Sequence, residues 1–171
     1  SCSLRAGTIA SKAWRFGSWD ISSGGMFDDL WDANVHVLEP FAIPDAWVIT
    51  RSFDWGSSSP FSVGWWAHSD GSPVTYQGQV RHFARGSMVR VGEWYGADTK
   101  KVNVGINMMS DKIAVGIKQR EERLFPGRII TPGAADASIY DVRDGQSIGN
   151  IMAKHGAHFI PAAKGKGSRA I

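Results

Sequence analysis

Residues 47–56 read Trp47-Val48-Ile49-Thr50-Arg51-Ser52-Phe53-Asp54-Trp55-Gly56. β-Branched and aromatic side chains dominate the first seven, which is the composition of a β-strand. The run ends in a carboxylate and a glycine, and Ser57-Ser58-Ser59-Pro60 follows as a loop. A second strand is expected from Phe61 to Ala67, with Asp70-Gly71-Ser72-Pro73 as the turn after it. Val74 to Arg85 reads as an irregular strand. Ser87 to Tyr95 reads as a third regular strand, with Met88, Arg90 and Gly92 alternating against Val89, Val91 and Glu93. Strands joined in this way form an antiparallel meander.

Helical spacing takes over downstream. Ser110 is a suitable N-cap with Asp111 in the first turn. Ile113, Ile117 and Leu124 mark one face, and Lys118, Arg120, Glu121, Glu122 and Arg123 cover the other. Pro126-Gly127 ends the helix. Arg128 to Thr131 fits a short strand that stops at Pro132-Gly133. A second helix starts at Ser147, with Ile148, Ile151, Met152 and His155 on one stripe and Gly156 as its C′ residue. Ala157 to Ile160 fits a last strand. The order β-β-β-α-β-α-β predicts an α/β domain: a mixed sheet, three antiparallel strands first, with helices packed on it.

Upstream, residues 1–45 hold no sustained period. Short aromatic clusters alternate with Ser22-Ser23-Gly24-Gly25, and Pro40, Pro44 and Asp45 close the stretch, so it reads as an arm ahead of a domain spanning 46–171. The 171 residues, 43% hydrophobic and 20% charged, suit one globular domain with such an arm. A net charge of +3 permits a nucleic-acid partner without requiring one. No apolar run is long enough to span a membrane. Cys2 is the only cysteine, which excludes internal disulfides and a cysteine zinc site and fits a reducing compartment. The chain opens on Ser1 and reads as a piece of something longer. It carries eight Trp. Trp47, Trp65 and Trp66 are expected in the core and Trp14, Trp19 and Trp31 as anchors of the arm, while Trp55 and Trp94 are expected to wall a site.

Several chemistries lack their motif. There is no phosphate loop, no G-x-S-x-G elbow and no H-E-x-x-H helix. What remains is three carboxylates in awkward places. Asp54 ends an apolar strand, Glu93 lies inside a strand, and Asp136 sits in the neutral run Pro132-Gly133-Ala134-Ala135-Asp136-Ala137. Such groups resist burial unless paired or bound to a metal. Converging, they would hold hard divalent cations through oxygen, and two cations about 3.5–4 Å apart clamp a phosphodiester in line. Gly56 would allow close approach of a nucleic-acid backbone. Simpler roles stand beside these. Asp54 serves equally as a turn residue, Glu93 as a solvent-facing strand residue and Asp136 as a cap, and Asp141 and Asp144 compete with Asp136. Lys154, Lys164, Lys166 and Arg169, in a stretch free of acids from Asn150 on, suit phosphate contacts or a solubilising tail.

These residues resemble the nuclease domain of the large terminase subunit of tailed bacteriophages. Ser52-Phe53-Asp54-Trp55-Gly56-Ser57-Ser58-Ser59-Pro60-Phe61 is similar to that family's first catalytic strand. Gly92-Glu93-Trp94-Tyr95-Gly96 resembles its second acidic strand, and Ala134-Ala135-Asp136-Ala137-Ser138-Ile139-Tyr140 its third acidic motif. Gly17-Ser18-Trp19-Asp20 with Gly24-Gly25-Met26-Phe27 is similar to the stretch that joins the packaging ATPase to the nuclease. Ser147 to Gly156 and Phe159 to Arg169 are similar to the following helix and basic loop. The resemblance implies a ribonuclease-H-like fold and Mg²⁺- or Mn²⁺-dependent cleavage of double-stranded DNA concatemers during genome packaging. It implies Asp54, Glu93 and Asp136 as metal ligands and Lys164, Lys166 and Arg169 on the DNA. It places the protein in the host cytoplasm, with the small terminase subunit and the portal as partners of the whole protein, and no ATP site in these residues. A resolvase or transposase core and a non-catalytic Trp-rich DNA- or sugar-binding module are the other readings.

Overall fold

A computed structural model of the chain describes residues 30–101, 103–142 and 145–163. The chain divides into two compact units, one up to Pro40 and one from Phe41. In the first, the described residues form a single-turn helix, α1 (Ala33–His36), whose N-cap Asp32 accepts from the Asn34 amide. Trp14, Trp19 and most of the expected arm lie outside the described residues.

The second unit is a mixed α/β domain. Its elements are β1 (Val48–Asp54), β2 (Ser62–His68), β3 (Pro73–Tyr76), β4 (Gln79–His82), β5 (Met88–Tyr95), α2 (Ser110–Leu124), β6 (Ile130–Ala135), a 3₁₀ turn (Ala137–Tyr140), α3 (Ile148–Lys154) and β7 (Ile160–Pro161). Five strands form one sheet in the order β5-β2-β1-β6-β7. The β5-β2-β1 half is antiparallel, and β6 and β7 run parallel to β1. The region read as one irregular strand is a separate hairpin, β3–β4, inserted between β2 and β5.

Alternation along β1 decides where the core lies. Ile49, Arg51 and Phe53 are buried, while Thr50, Ser52 and Asp54 are not. Val63, Trp65 and Ala67 of β2 continue the buried face, and Ile113, Ala114 and Ile117 of α2 with Met152 of α3 complete the core. Trp47 and Trp65 are core residues as expected. Trp66 is not: it points to the other face, where its indole N–H donates to Ser52 Oγ at 2.9 Å.

Three local expectations change. The α2 N-cap is Met109, so Ser110 is the first helical residue. Strand β6 runs through Pro132 and Gly133 instead of stopping there. It can do so because glycine leaves room against β1, where a Cβ at 133 would stand 2.1 Å from the Arg51 carbonyl oxygen. Glu121 is buried, whereas Leu124 is exposed. The stripe Ile113–Ile117 continues to position 121, and Arg51 waits there on the sheet. Arg51 Nη1 donates to Glu121 Oε1 at 2.5 Å, Trp65 Nε1 donates to the same oxygen at 3.1 Å, and Lys118 Nζ donates to Oε2 at 2.8 Å. Three donors on one carboxylate make burial of the pair tolerable. Among the described residues no helix is long and apolar enough to cross a membrane.

Candidate functional site

Each proposed carboxylate owes its position to the strand that carries it. Asp54 is the last residue of β1 and is exposed. Asp136 follows Ala135, the last residue of β6. Phe53 and Ala135 are register partners, so the two acids stand one residue beyond a shared rung, at the C-terminal ends of adjacent parallel strands. Neighbouring strands are about 4.8 Å apart. Asp136 also caps the 3₁₀ turn, accepting from the Ser138 amide at 2.7 Å. The capping role and the strand-end position coexist in one residue. Asp141 lies at the far end of that turn, exposed, and Asp144 is outside the described residues.

Glu93 reaches the same face through an irregularity. Strict alternation would place it with Val89 and Val91. Between Trp65 and Trp66, however, the register with β5 shifts by one, because Trp66 pairs with Arg90 and Trp65 with Gly92. This bulge reverses the facing of every later residue of β5. Gly92 turns inward against Trp65 and Leu124. Glu93, opposite Gly64, turns outward onto the face of Ser52 and Asp54. The same shift sets Glu93 beside Arg90, and the two form an exposed ion pair. Strand β5 lies two strands from β1, on the order of 10 Å. That separation and the Arg90 contact keep Glu93 apart from Asp54. Among the described residues, no three His, Cys, Asp or Glu side chains come together closely enough to hold a metal ion.

The donor chemistry itself fits a hard divalent cation. Asp54 and Asp136 offer carboxylate oxygens on neighbouring strand ends, whereas Glu93, two strands from β1, is not brought to them.

The rest of the site is braced from beneath. Arg51 Nε donates to the His158 carbonyl at 3.2 Å, and its guanidinium lies 5.4 Å from the centre of the Phe159 ring. The Tyr140 hydroxyl donates to the Phe159 carbonyl at 2.6 Å, and burial raises the pKa of that phenol. These bonds hold the lead into β7, whose Ile160 and Pro161 pair with Ala134 and Ala135 just before Asp136.

One expectation about the surroundings does not hold. Trp94 does not wall the acidic face: it points to the opposite side, edge-on to Phe61 with ring centres 4.9 Å apart, and Arg120 stacks over it at 3.6 Å. Trp55 packs edge-on against Phe53 at 6.2 Å. Gly56 is required by its own loop, since a Cβ there would meet the Ser59 and Pro60 carbonyl oxygens at 2.3 and 2.5 Å. Lys164, Lys166 and Arg169 lie outside the described residues; Lys154 ends α3 and is exposed.

Arg90 is the residue the sequence reading passed over. Its signal was its place three before Glu93 in a strand, a spacing that becomes a same-face pair only across a bulge. No protein-family model, no curated protein and no solved structure matches this chain.

Proposed function

We propose that the unit from Phe41 on is a metal-dependent endonuclease with a ribonuclease-H-like sheet, the nuclease of a phage DNA-packaging terminase, acting on double-stranded DNA. The observation that carries this reading is the pairing of Asp54 and Asp136 one residue past the Phe53–Ala135 rung. Two acids at the C-terminal edge of parallel strands have no apolar packing to do and sit where open α/β sheets bind ligands. The sheet order, three antiparallel strands followed by two parallel ones, agrees with the fold that the terminase resemblance implies.

Asp54 and Asp136 would hold Mg²⁺ or Mn²⁺ through their carboxylate oxygens, with Glu93 adding negative charge to the same face, two strands away, once Arg90 turns from it. Cations bound there would supply water activation and stabilisation of the leaving alkoxide. The chain's own part is positional. Gly133 lets β6 approach β1, and the Arg51 and Tyr140 bonds fix the β7 lead beside Asp136.

Supercoiled plasmid incubated with the protein and Mn²⁺ should convert to nicked and linear forms, and chelator should stop the conversion. Asp54→Ala should lose the activity while keeping its fold by circular dichroism. Undiminished nicking by that variant would remove Asp54 from the mechanism.

A further inference from the structure

Beyond Tyr95 the chain builds a second feature on the Asp54 side of the sheet. Asp54 pairs with Ser62 and Ser62 with Tyr95, so β5 leaves the sheet on the same rung as the proposed site. Gly96 then donates to the Phe61 carbonyl at 2.8 Å. The chain turns back on itself: Ala97 bridges Gly105, the Asp98 amide donates to the Val104 carbonyl at 2.7 Å, and the Ile106 amide donates to the Gly96 carbonyl at 3.1 Å. The returning arm is bonded to the loop that follows Asp54. Gly105 donates to the Ser58 carbonyl at 2.7 Å. A Cβ at 105 would stand 2.4 Å from the Ser59 oxygen, so the two loops are in tight contact.

The excursion carries Lys100 and Lys101, both exposed. The nearest acid in the chain is already committed, because Asp98 Oδ1 accepts the Lys100 amide at 2.7 Å. Among the described residues neither ammonium has a carboxylate at ion-pair distance. Ser57, Ser58 and Ser59, at the foot of the excursion where Gly105 meets Ser58, are exposed, as is the Tyr95 ring at 53%. The excursion that carries the two lysines therefore rises from the strand end and loop beside Asp54, a carboxylate edge. A purely acidic edge repels a polyanion, and cations at its border offset that repulsion.

We infer that Lys100 and Lys101 are a phosphate-binding element that seats the DNA backbone against the Asp54 end of the sheet, on the β5 side. The inference rests on the endonuclease reading and adds residues to it. These lysines follow β5, at the opposite edge of the sheet from β7.

The test separates binding from cutting. Anisotropy of a fluorescent DNA duplex, measured in chelator over a series of salt concentrations, reports binding alone. Lys100→Ala/Lys101→Ala should weaken binding about tenfold at low salt and reduce the slope of log affinity against log salt by about two, one per lost phosphate contact. Lys100→Arg/Lys101→Arg should restore both. An unchanged slope and affinity in the alanine variant, or no recovery with arginine, overturns the inference. Mn²⁺-dependent plasmid nicking by the unaltered protein tests the nuclease reading separately. Nicking combined with lysine-independent binding sinks only the phosphate element.

Discussion

Arg51 and Glu121 form a buried ion pair, each 3% exposed, that joins the central strand to the long helix three residues before Asp54. Removing one partner of such a pair costs about 3–5 kcal/mol, because the other charge is left buried and alone. Glu121→Ala should therefore lower the melting temperature sharply in thermal denaturation. Arg51→Met/Glu121→Leu should recover much of the loss, but not all, since Trp65 Nε1 still lacks its acceptor. A double variant as unstable as the single one would show that packing, not charge, governs this contact.

The two roles of Asp136 can be separated by isosteric change. Asparagine caps as well as aspartate, whereas alanine loses about 1 kcal/mol. Asp136→Asn should melt like the parent and yet nick plasmid at least about 100-fold more slowly, a loss worth roughly 2.7 kcal/mol of barrier. Asp136→Ala should lose both. Full activity in the asparagine variant would leave Asp136 as a cap alone.

Arg90 and Glu93 are both substantially exposed, so their pair contributes no more than about 1 kcal/mol. Arg90→Ala should leave the melting temperature nearly unchanged. It should lower the Mn²⁺ concentration needed for half-maximal nicking by up to about fivefold, the equivalent of that energy. A higher metal requirement would mean that Arg90 helps to place Glu93.

Tyr140 gives the domain an alkaline limit. Burial favours the neutral phenol, so its folded pKa lies above the ordinary value of about 10. Below that value the group is neutral in both states and adds no pH dependence. As pH rises past about 10, the unfolded chain ionises first and stability falls until the folded pKa is reached. Urea midpoints across this range should decline less steeply in Tyr140→Phe, which also loses the Phe159 carbonyl bond at every pH. Parallel declines would assign the alkaline effect to other groups.

Much of the sheet was legible because its strands obey simple rules. The β1 run Val48–Asp54 alternates cleanly, and in β2 the side chains of Val63, Trp65 and Ala67 keep the same alternation although Gly64 between them is buried too. The α3 helix carries both of its sequence markers, with Ser147 accepting the Asn150 amide and Gly156 at φ +82°. What escaped reading depended on partners distant in the chain. Arg51 and Glu121 each interrupt an apolar stripe, and only together do they explain each other. The facing of Glu93 depended on a bulge that local composition does not mark. Strand β4 is exposed at all four positions, so it shows no period at all. The extension of β6 through Pro132 rested on Gly133. Gly133→Ala should accordingly cost about 3 kcal/mol and abolish nicking, measured by denaturant melt and plasmid assay. The strand-end positions of Asp54 and Asp136 were legible because acids stand out against apolar runs. The place of Lys100 and Lys101 on an excursion anchored beside Asp54 was not, since two lysines in a loop carry no mark of what lies next to that loop.

The parallel pairing of β1 with β6 joins segments separated by most of the domain's length. The antiparallel strands β1, β2 and β5 can zip together from nearer neighbours, whereas the β1–β6 rung must wait for a long closure. Asp54 and Asp136 consequently become neighbours late in folding. A chain still emerging from the ribosome can own a finished antiparallel half while Asp54 still lacks Asp136 as a neighbour. On the reading proposed above, the two acids meet only once β6 has been made and has docked beside β1.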